Sequence, residues 1–391
     1  GYRKKNQKAF FDDYLFGGQY SDYLDSDLKT WSFTPRVVMP QQLFGRQSQT
    51  IIGLDYYNSD YDSDRSLNRN TINTPIHRIH IKQKSTGLYA DSTTAVTADT
   101  TINLGARLQW ISQDGDDRFD PNAPGASDKF ESGAADYNDS HRVHMLEAGI
   151  EKQFIASTAA YLKWTRSARV ATIDELFEID PNSFTRVFSP LDPQTGNGVD
   201  LGTQYKQGRY SATANAYYMR LKNEIHFNPA TYTNVNLDPT ERYGFELNGT
   251  LDINDRVSLQ GNYSYLRAKF TDGPFDGKNV PLVPKNKASL SGTWRPTAAT
   301  DLIVAVNYVD SSYFDNDQSN SFGEKIPSYT TVDARLSHIY RGLRMTAEVN
   351  NIFEEEYFEY GVSSTFSQGV YNAYPMPERT ILLTVSKEFG N

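Results

Sequence analysis

The stretch RYGFELNGTLDINDRVSLQGNYSY, residues 242–265, decides the fold class because polar and apolar residues alternate along it with one interruption. Successive side chains of a β-strand point to opposite faces, so each arm of this stretch has an apolar face and a polar face. Residues 254–256 break the alternation and predict a short turn. The apolar face carries Tyr243, Phe245, Leu247, Gly249, Leu251, Ile253, Val257, Leu259, Gly261, Tyr263 and Tyr265.

The length of the two arms shows which kind of hairpin this is. The first arm covers residues 242–253 and the second runs from 257 to at least 265. Strands of soluble proteins are mostly about 5–6 residues long, whereas a strand that crosses a membrane needs about 9–11. The sequence therefore predicts a hairpin of membrane-spanning length with one lipid-facing side.

The same alternation returns at residues 288–294, 331–337, 343–349 and 381–389, and Leu302, Val304, Val306 and Tyr308 form a further apolar row. Earlier parts of the chain follow it more loosely, and together these stretches predict roughly 15–17 strands. Strands can cross a membrane only when every backbone hydrogen bond is made within a closed sheet. The predicted fold class is therefore all-β, a transmembrane antiparallel β-barrel.

The composition is consistent with a barrel. The mean hydropathy is −0.62, and no apolar run approaches the roughly 18 residues that a transmembrane helix requires. Aromatic residues nevertheless make up 13% of the chain, with 26 Tyr and 21 Phe, which suits the belts that such residues form at membrane interfaces. The alternative is a soluble β-sandwich such as a lectin, with shorter strands and the aromatic residues in its core.

Several classes of function lack support in the sequence. The chain has no cysteine, which excludes disulfides and thiol catalysis, and its net charge of −9 argues against a nucleic-acid partner. The pairs His77 with His80 and His141 with His144 are spaced by three, so on strands they point to opposite faces and predict no metal site. The acidic run at 113–122 lacks the register of a calcium loop and predicts a solvated loop.

Connection lengths orient the predicted barrel. Short turns are predicted at 156–158, 207–208, 254–256, 296–300 and 340–342. Short turns face the periplasm and long loops face outward in outer-membrane barrels, so recognition is expected on the long set. The long connections are predicted at 58–75, 113–140, 170–198, 222–240, 271–285, 310–327 and 353–379.

Three motifs carry a resemblance to a known family. They are ATIDELFE at 171–178, which follows WTRSARV, then VNNIFEEEYFEYG at 349–361, and PERTILLTVSKEF at 377–389. In this order they resemble the C-terminal part of the barrel of TonB-dependent outer-membrane receptors. The resemblance covers most of the chain and is best from His141 onward.

The resemblance implies a bacterial outer-membrane receptor that takes up a scarce ligand, most often a ferric siderophore or similar metal chelate, and that is not an enzyme. It implies no resident cofactor, and surrounding outer-membrane lipid. The implied partners are the TonB–ExbB–ExbD complex, acting through an N-terminal plug, and the barrel-assembly machinery, which would read Phe389. It also implies about 22 strands. Residues 1–391 are therefore expected to be barrel domain, with the plug and first strands upstream.

Ligand contacts are expected from aromatic and arginine side chains of the long loops, because a chelate binds by aromatic burial with a few polar anchors. Loop packing is the alternative role for each of them. The candidates are Phe184, Arg186, Phe188, Tyr232, Tyr313, Phe314, Tyr371 and Tyr374.

Two other functions fit a barrel of this kind. A passive porin has about 16–18 strands around an open aqueous channel and has no plug. An outer-membrane hydrolase would carry a compact catalytic cluster near the rim, although no GxSxG motif supports one here.

Overall fold

The computed structural model is almost entirely β-structure, with 23 strands and two single-turn 3-10 helices, Arg69–Thr71 and Ile173–Glu175, among the described residues. Residues 11–15, 18–21, 179 and 186 are described by their backbone alone. The structure describes residues 1–15, 18–43, 45–126, 133–179, 186–231, 233–364, 367 and 369–387.

The strands, in chain order, are β1 (Tyr2–Leu15), β2 (Gly18–Phe33), β3 (Arg36–Leu43), β4 (Arg46–Ser66), β5 (His77–Ala95), β6 (Thr100–Phe119), β7 (Tyr137–Ile155), β8 (Thr158–Arg169), β9 (Phe177–Ile179), β10 (Arg186–Phe188), β11 (Gln194–Gln207), β12 (Tyr210–Lys222), β13 (Glu224–Asn228), β14 (Thr233–Leu237), β15 (Thr240–Asn254), β16 (Val257–Phe270), β17 (Asn286–Thr297), β18 (Thr300–Val309), β19 (Tyr329–Tyr340), β20 (Leu343–Asn350), β21 (Phe358–Ser363), β22 (Tyr371–Pro375) and β23 (Thr380–Lys387).

One 17-stranded antiparallel sheet contains most of these strands, which confirms the predicted number. Each long strand pairs with the long strands before and after it in the chain. Strands β2 and β3 lie end to end along β4. Three two-stranded hairpins, β9–β10, β13–β14 and β21–β22, stand within the long connections.

The two faces of the sheet differ as the alternation predicts. Directly opposed residues of antiparallel strands share a face, and the register places Leu104, Leu201 and Leu290 on the exterior, where all three are exposed. On the interior face, Arg107 Nη1 bonds to Asp55 Oδ2 at 2.5 Å. An apolar exterior around a polar interior is the arrangement of a membrane barrel. In the described part of the chain, no helix has the length and apolar character needed to cross a membrane.

Short and long connections alternate along the sheet, as predicted. The strands are joined by short turns at 96–99, 156–157, 208–209, 255–256, 298–299 and 341–342, which we call the turn end. The opposite end, called the loop end, carries the connections 67–76, 120–136, 170–193, 223–239, 271–285, 310–328 and 351–379.

Two loops begin later in the structure than the sequence predicts. Strand β4 continues to Ser66 and β6 to Phe119, so most of 58–66 and 113–119 is sheet. The polar composition of these segments predicted loop, but their charges pair across exterior strand neighbours, as in Asp60–Lys82 at 3.7 Å and Asp62–His80 at 2.9 Å. The sheet therefore extends beyond the apolar band.

The acidic run at 113–122 also differs from the prediction. Its residues up to Phe119 belong to β6, and the Asp117 carboxylate is fully buried, 2.9 Å from His77 Nδ1. The Ala134 N–H also donates to Asp117 Oδ2 at 3.0 Å. His77 and His80 do point to opposite faces, and no group of three metal-ligating side chains occurs among the described residues.

The two edge strands are not paired with each other in the described residues. Strand β1 pairs with β2 alone, and β23 pairs with β20 alone. A row of backbone N–H and C=O groups therefore remains open along each edge.

Candidate functional site at the loop end

Three connections of the loop end meet at Asp315, whose side chain is 4% exposed. The Oδ1 atom lies 3.3 Å from His226 Nε2 of β13, and the Tyr360 hydroxyl of β21 donates to Oδ2 at 2.9 Å. Burial raises the pKa of Tyr360, and the hydrogen bond to Asp315 raises it further, so the phenol stays protonated and donates. One carboxylate thus joins the connections 223–239, 310–328 and 351–379.

Backbone contacts reinforce this junction. The Asp315 N–H donates to the Gly361 carbonyl at 2.9 Å, and the Ser363 N–H donates to the Asp315 carbonyl at 3.1 Å. The Ser363 hydroxyl donates to the same carbonyl at 3.1 Å. Connection 310–328 therefore runs as a short parallel partner of β21 and is fixed in register with it.

An aromatic cluster lies beneath the junction. Phe314 is 1% exposed, and its ring centroid lies 4.6 Å from Tyr371, 5.3 Å from Phe322 and 6.1 Å from Phe358. A Cβ at position 361 would lie 2.7 Å from the Phe314 ring, so this close approach requires glycine. Tight packing around Phe314 holds connections 310–328 and 351–379 as one body.

Two tyrosines of β22 carry the cluster to the surface. Tyr374 is 61% exposed, and its ring lies 5.4 Å from that of Tyr360. Tyr371 is also exposed while its ring contacts Phe314. Exposed aromatic faces on a rigid base suit the burial of a planar or chelated ligand.

A second junction joins connection 170–193 to the β13–β14 hairpin. Glu178 is 6% exposed, and its Oε1 atom accepts hydrogen bonds from the Asn234 backbone N–H and, at 2.6 Å, from Asn234 Nδ2. Nearby, the Asp192 N–H donates to Asn236 Oδ1 at 2.8 Å, and Asn236 Nδ2 donates to the Asp192 carbonyl at 3.0 Å. The hairpin is therefore held from both sides, by Glu178 and by Asp315.

Connection 170–193 also folds onto the interior face of the sheet. Ile173 and Phe177 pack against Ile79 and Ile81 of β5, and the Gln113 side chain of β6 donates to the Ala171 carbonyl at 2.8 Å. Burial of these apolar side chains is worth about 1.5–3 kcal/mol each. This connection consequently lies against the wall of the lumen at the loop end.

Docking of connection 170–193 is expected to weaken as pH rises. Burial raises the pKa of Glu178, against the opposing effect of the Asn234 hydrogen bonds. The docked segment thus binds more protons than the released one. The stabilisation that Glu178 gives to docking is fully present below the ordinary glutamate pKa and is lost as pH rises through the raised pKa. Limited proteolysis within 170–193 should show this dependence in the native protein and lose it in Glu178→Gln. Identical pH profiles of the two proteins would contradict the assignment.

The predicted ligand residues fall into two groups. Tyr313, Phe314, Tyr371 and Tyr374 share connections 310–328 and 351–379, with Lys325 Nζ over the Tyr313 ring at 4.4 Å. Phe188 packs against Phe177 and Tyr137 instead, with centroid distances of 5.2 and 5.8 Å. Their role in ligand contact stays a prediction. The predicted residues Phe184, Tyr232 and Phe389, and the side chain of Arg186, lie outside the described residues.

The sequence did not identify the polar junctions. The first junction is formed by three separate connections, which contribute His226, Asp315 and Tyr360. In the second junction, no sequence neighbour of Glu178 or Asn234 indicates that the two residues pair. Only ATIDELFE gave a local signal, because it contains Glu178 and the Thr172–Glu175 pair, in which the Thr172 N–H donates to Glu175 Oε2 at 2.7 Å. A pairing between distant loops leaves no periodic pattern.

Comparison with known proteins agrees with this architecture. A sequence model of the family described as "TonB dependent receptor-like, beta-barrel" matches residues 1–352. The "Probable TonB-dependent siderophore receptor PiuA" of Acinetobacter baumannii is 22% identical over 305 residues, which cover 73% of this chain and 38% of that protein. The "Ferrioxamine receptor" of Yersinia enterocolitica is 28% identical over 211 residues, or 51% of this chain and 28% of that protein.

Solved structures with the same fold include the ferric citrate transporter FecA in its unliganded form. Its TM-score is 0.78 at 16% identity, with 99% of this chain and 57% of that chain covered. The siderophore receptor PiuA from Acinetobacter baumannii gives a TM-score of 0.74 at 17% identity, with 98% and 60% covered. The chain thus spans less than two thirds of the length of each of these proteins.

Proposed function

The chain belongs to the TonB-dependent receptor-like β-barrel family, and from this we propose that it forms most of the barrel of a receptor for energised ligand uptake. Its strands lie in the bacterial outer membrane, with the loop end facing outward and the turn end facing the periplasm. The observation that carries the proposal is the linked set of outer connections joined at Asp315 and Glu178 above a polar lumen.

A ferric siderophore or similar metal chelate is the proposed ligand. The relatives are named as receptors for siderophores and for ferrioxamine, and a structural neighbour is named as a ferric citrate transporter. These names are of receptors and transporters, which favours uptake over a passive porin or a hydrolase. In this chain, the exposed rings of Tyr371 and Tyr374 on the fixed base of Phe314 support binding of such a ligand.

We propose that a plug and further strands come from another segment of the same protein. The open edges of β1 and β23 support this, because a lipid-exposed sheet edge leaves backbone groups without hydrogen bonds. The proposed energising partner is the TonB–ExbB–ExbD complex acting on that plug, and the barrel-assembly machinery is the proposed partner for insertion.

Iron uptake tests the proposed function directly. The full-length protein is expressed in a strain that lacks its own siderophore receptors, and entry of radioactive iron is measured for hydroxamate, catecholate and citrate chelates. We expect uptake of at least one chelate, and we expect it to disappear when TonB is deleted. Uptake that persists without TonB, or conductance for small solutes of every kind, would instead indicate a diffusion channel.

A further inference from the structure

The negative charge of this chain is concentrated in the three connections that meet at Asp315. These connections are 223–239, 310–328 and 351–379. Together they contain 11 Asp and Glu residues but only two basic residues. Their net charge of −9 equals that of the whole chain, so the remaining residues balance to zero. Charge of one sign on linked loops creates a strong local potential, and here that potential attracts cations.

The two basic residues of these connections already have partners. Arg379 Nη2 forms an ion pair with Glu354 Oε1 at 2.5 Å, and Lys325 Nζ lies 4.4 Å from the centre of the Tyr313 ring. In the neighbouring connection 271–285, two lysines are matched in number by two aspartates, so that segment is neutral. The carboxylates of the three connections therefore greatly outnumber the cations that could neutralise them.

Glu359 of β21 places one of these carboxylates beside two stacked tyrosines. Its Oε1 atom accepts a hydrogen bond from the Tyr329 hydroxyl at 2.6 Å, and the ring centroids of Tyr329 and Tyr357 lie 4.2 Å apart. Glu359 is exposed, and within the described ranges it forms no ion pair. Burial raises the pKa of Tyr357, and the charges of Glu359 and Asp333 raise it further. An exposed carboxylate next to aromatic rings is an arrangement that suits an ammonium group.

The strand register places this group on the lumen side of the wall. Tyr329 lies opposite Val309, which lies opposite Lys287, and all three share the interior face with Ser291. Lys287 is two strands away from Tyr329 and forms no ion pair with Glu359. The carboxylate of Glu359 therefore lies beside the space that a ligand crosses when it enters the barrel.

The exposed aromatic side chains of the site favour the same sign of charge. Tyr371 and Tyr374 are exposed, and the face of an aromatic ring attracts a cation through its quadrupole. Behind them, the Tyr360 hydroxyl donates to the Asp315 carboxylate at 2.9 Å. An anionic ligand would meet like charges at both groups of tyrosines, and such repulsion excludes a competing ligand effectively.

We propose that the loop end selects a cationic ferric chelate, namely a linear trihydroxamate with a free ammonium group, and that Glu359 receives this ammonium beside the Tyr329 and Tyr357 rings. Three hydroxamate groups neutralise ferric iron, so the ammonium makes the complex positive, whereas catecholate and citrate complexes of ferric iron are anionic. The inference rests on the proposed function, because it requires that a metal chelate enters at the loop end.

Chelate binding by the full-length protein in neutral detergent tests the proposal, with affinity measured by isothermal titration calorimetry. The probes are ferric complexes of one linear trihydroxamate whose terminal amine is free, acetylated or succinylated, so they share an iron centre and differ in charge. A ferric tris-catecholate is the fourth probe. We expect the native protein to bind the ammonium form at least about tenfold more tightly than the succinylated form, with the acetylated form between them.

The variant Glu359→Gln removes the charge and keeps the shape of the side chain. We expect it to bind the ammonium form about five- to tenfold more weakly and the acetylated form as the native protein does. Glu151→Gln is the matched control, because Glu151 is exposed on the interior face of β7, four residues from the turn end at Ile155. This control should keep the native preference. Folding of both variants is checked by the heat-dependent shift in gel mobility.

Four results would count against the proposal in different ways. Equal affinity for the three hydroxamate complexes, or tighter binding of the succinylated one, would overturn the charge preference. An unchanged preference in Glu359→Gln would overturn the role of that residue. Binding of the tris-catecholate alone would contradict the inference and leave the proposed function standing. If no chelate binds, the proposed function itself is contradicted.

Discussion

Replacing Leu290 with arginine is expected to destabilise the barrel by about 2–4 kcal/mol, because the side chain would enter the lipid near the middle of the spanning segment. Leu290 is 55% exposed in the structure and lies opposite Gly261 and Val306 on the exterior face. An arginine at this position has no partner for its charge. The expected loss of 2–4 kcal/mol corresponds to a change of roughly 30- to 900-fold in the folding equilibrium. Equilibrium unfolding in lipid vesicles measures it.

The adjacent residue supplies the control. Ser291 lies opposite Gln260 and Ala305 on the interior face, so the side chain of Ser291→Arg would point into the polar lumen. We expect this variant to change stability by less than about 1 kcal/mol, as is usual for substitutions away from packed features. Equal losses in the two variants would show that the faces are assigned wrongly.

Replacing Asp315 with alanine is expected to release the outer connections from one another. The change leaves the half-buried Tyr360 hydroxyl without its acceptor and removes the contact with His226, which together weaken local docking by about 1–3 kcal/mol. Hydrogen exchange of residues 310–328 and 358–375, measured by mass spectrometry on the full-length protein, should become much faster. Affinity for the proposed chelate ligand should fall at least tenfold.

Asp255 is the matched control for this substitution. It lies in a short turn at the turn end, where its exposed carboxylate pairs with Arg209 at 3.2 Å. A surface pair of this kind contributes at most about 1 kcal/mol, so Asp255→Ala should leave exchange at the loop end and ligand affinity unchanged. Unaltered exchange in Asp315→Ala would mean that the aromatic cluster and the backbone hydrogen bonds hold the connections without the carboxylate.

The sequence predicts the membrane-facing part of this protein well, because lipid imposes a strict two-residue period. Leu247 stands between the polar residues Glu246 and Asn248 and lies on the exterior, as expected. The period fails as a guide where strands leave the membrane. Beyond the membrane, Asp60 and Asp62 lie on a strand but face water and cationic side chains. Strands and loops in that region have the same polar composition, so the sequence does not distinguish them.

The candidate site could be predicted only in part, for a related physical reason. Aromatic residues of long loops are visible in the sequence, and four of the predicted ones occur together near Phe314. The groups that hold these aromatic residues in place cannot be recognised in the sequence, because Asp315 and Glu178 act through burial and through partners in distant loops. Burial depends on the folded arrangement of several connections, and the alternation of polar and apolar residues along one strand does not predict it.

The order of strands in the sheet has a consequence for how the protein reaches its folded state. Long strands that neighbour each other in the sheet also follow each other in the chain, so almost every strand pairing forms within a hairpin or between consecutive hairpins. Contacts that are local in sequence require little loop-closure entropy and favour rapid folding. The open edges of β1 and β23 are the exception, because closing the proposed barrel joins them, directly or through the proposed further strands, into a seam between parts of the polypeptide that are distant in sequence. We expect that seam to form last, which makes it the slow and aggregation-sensitive step of assembly.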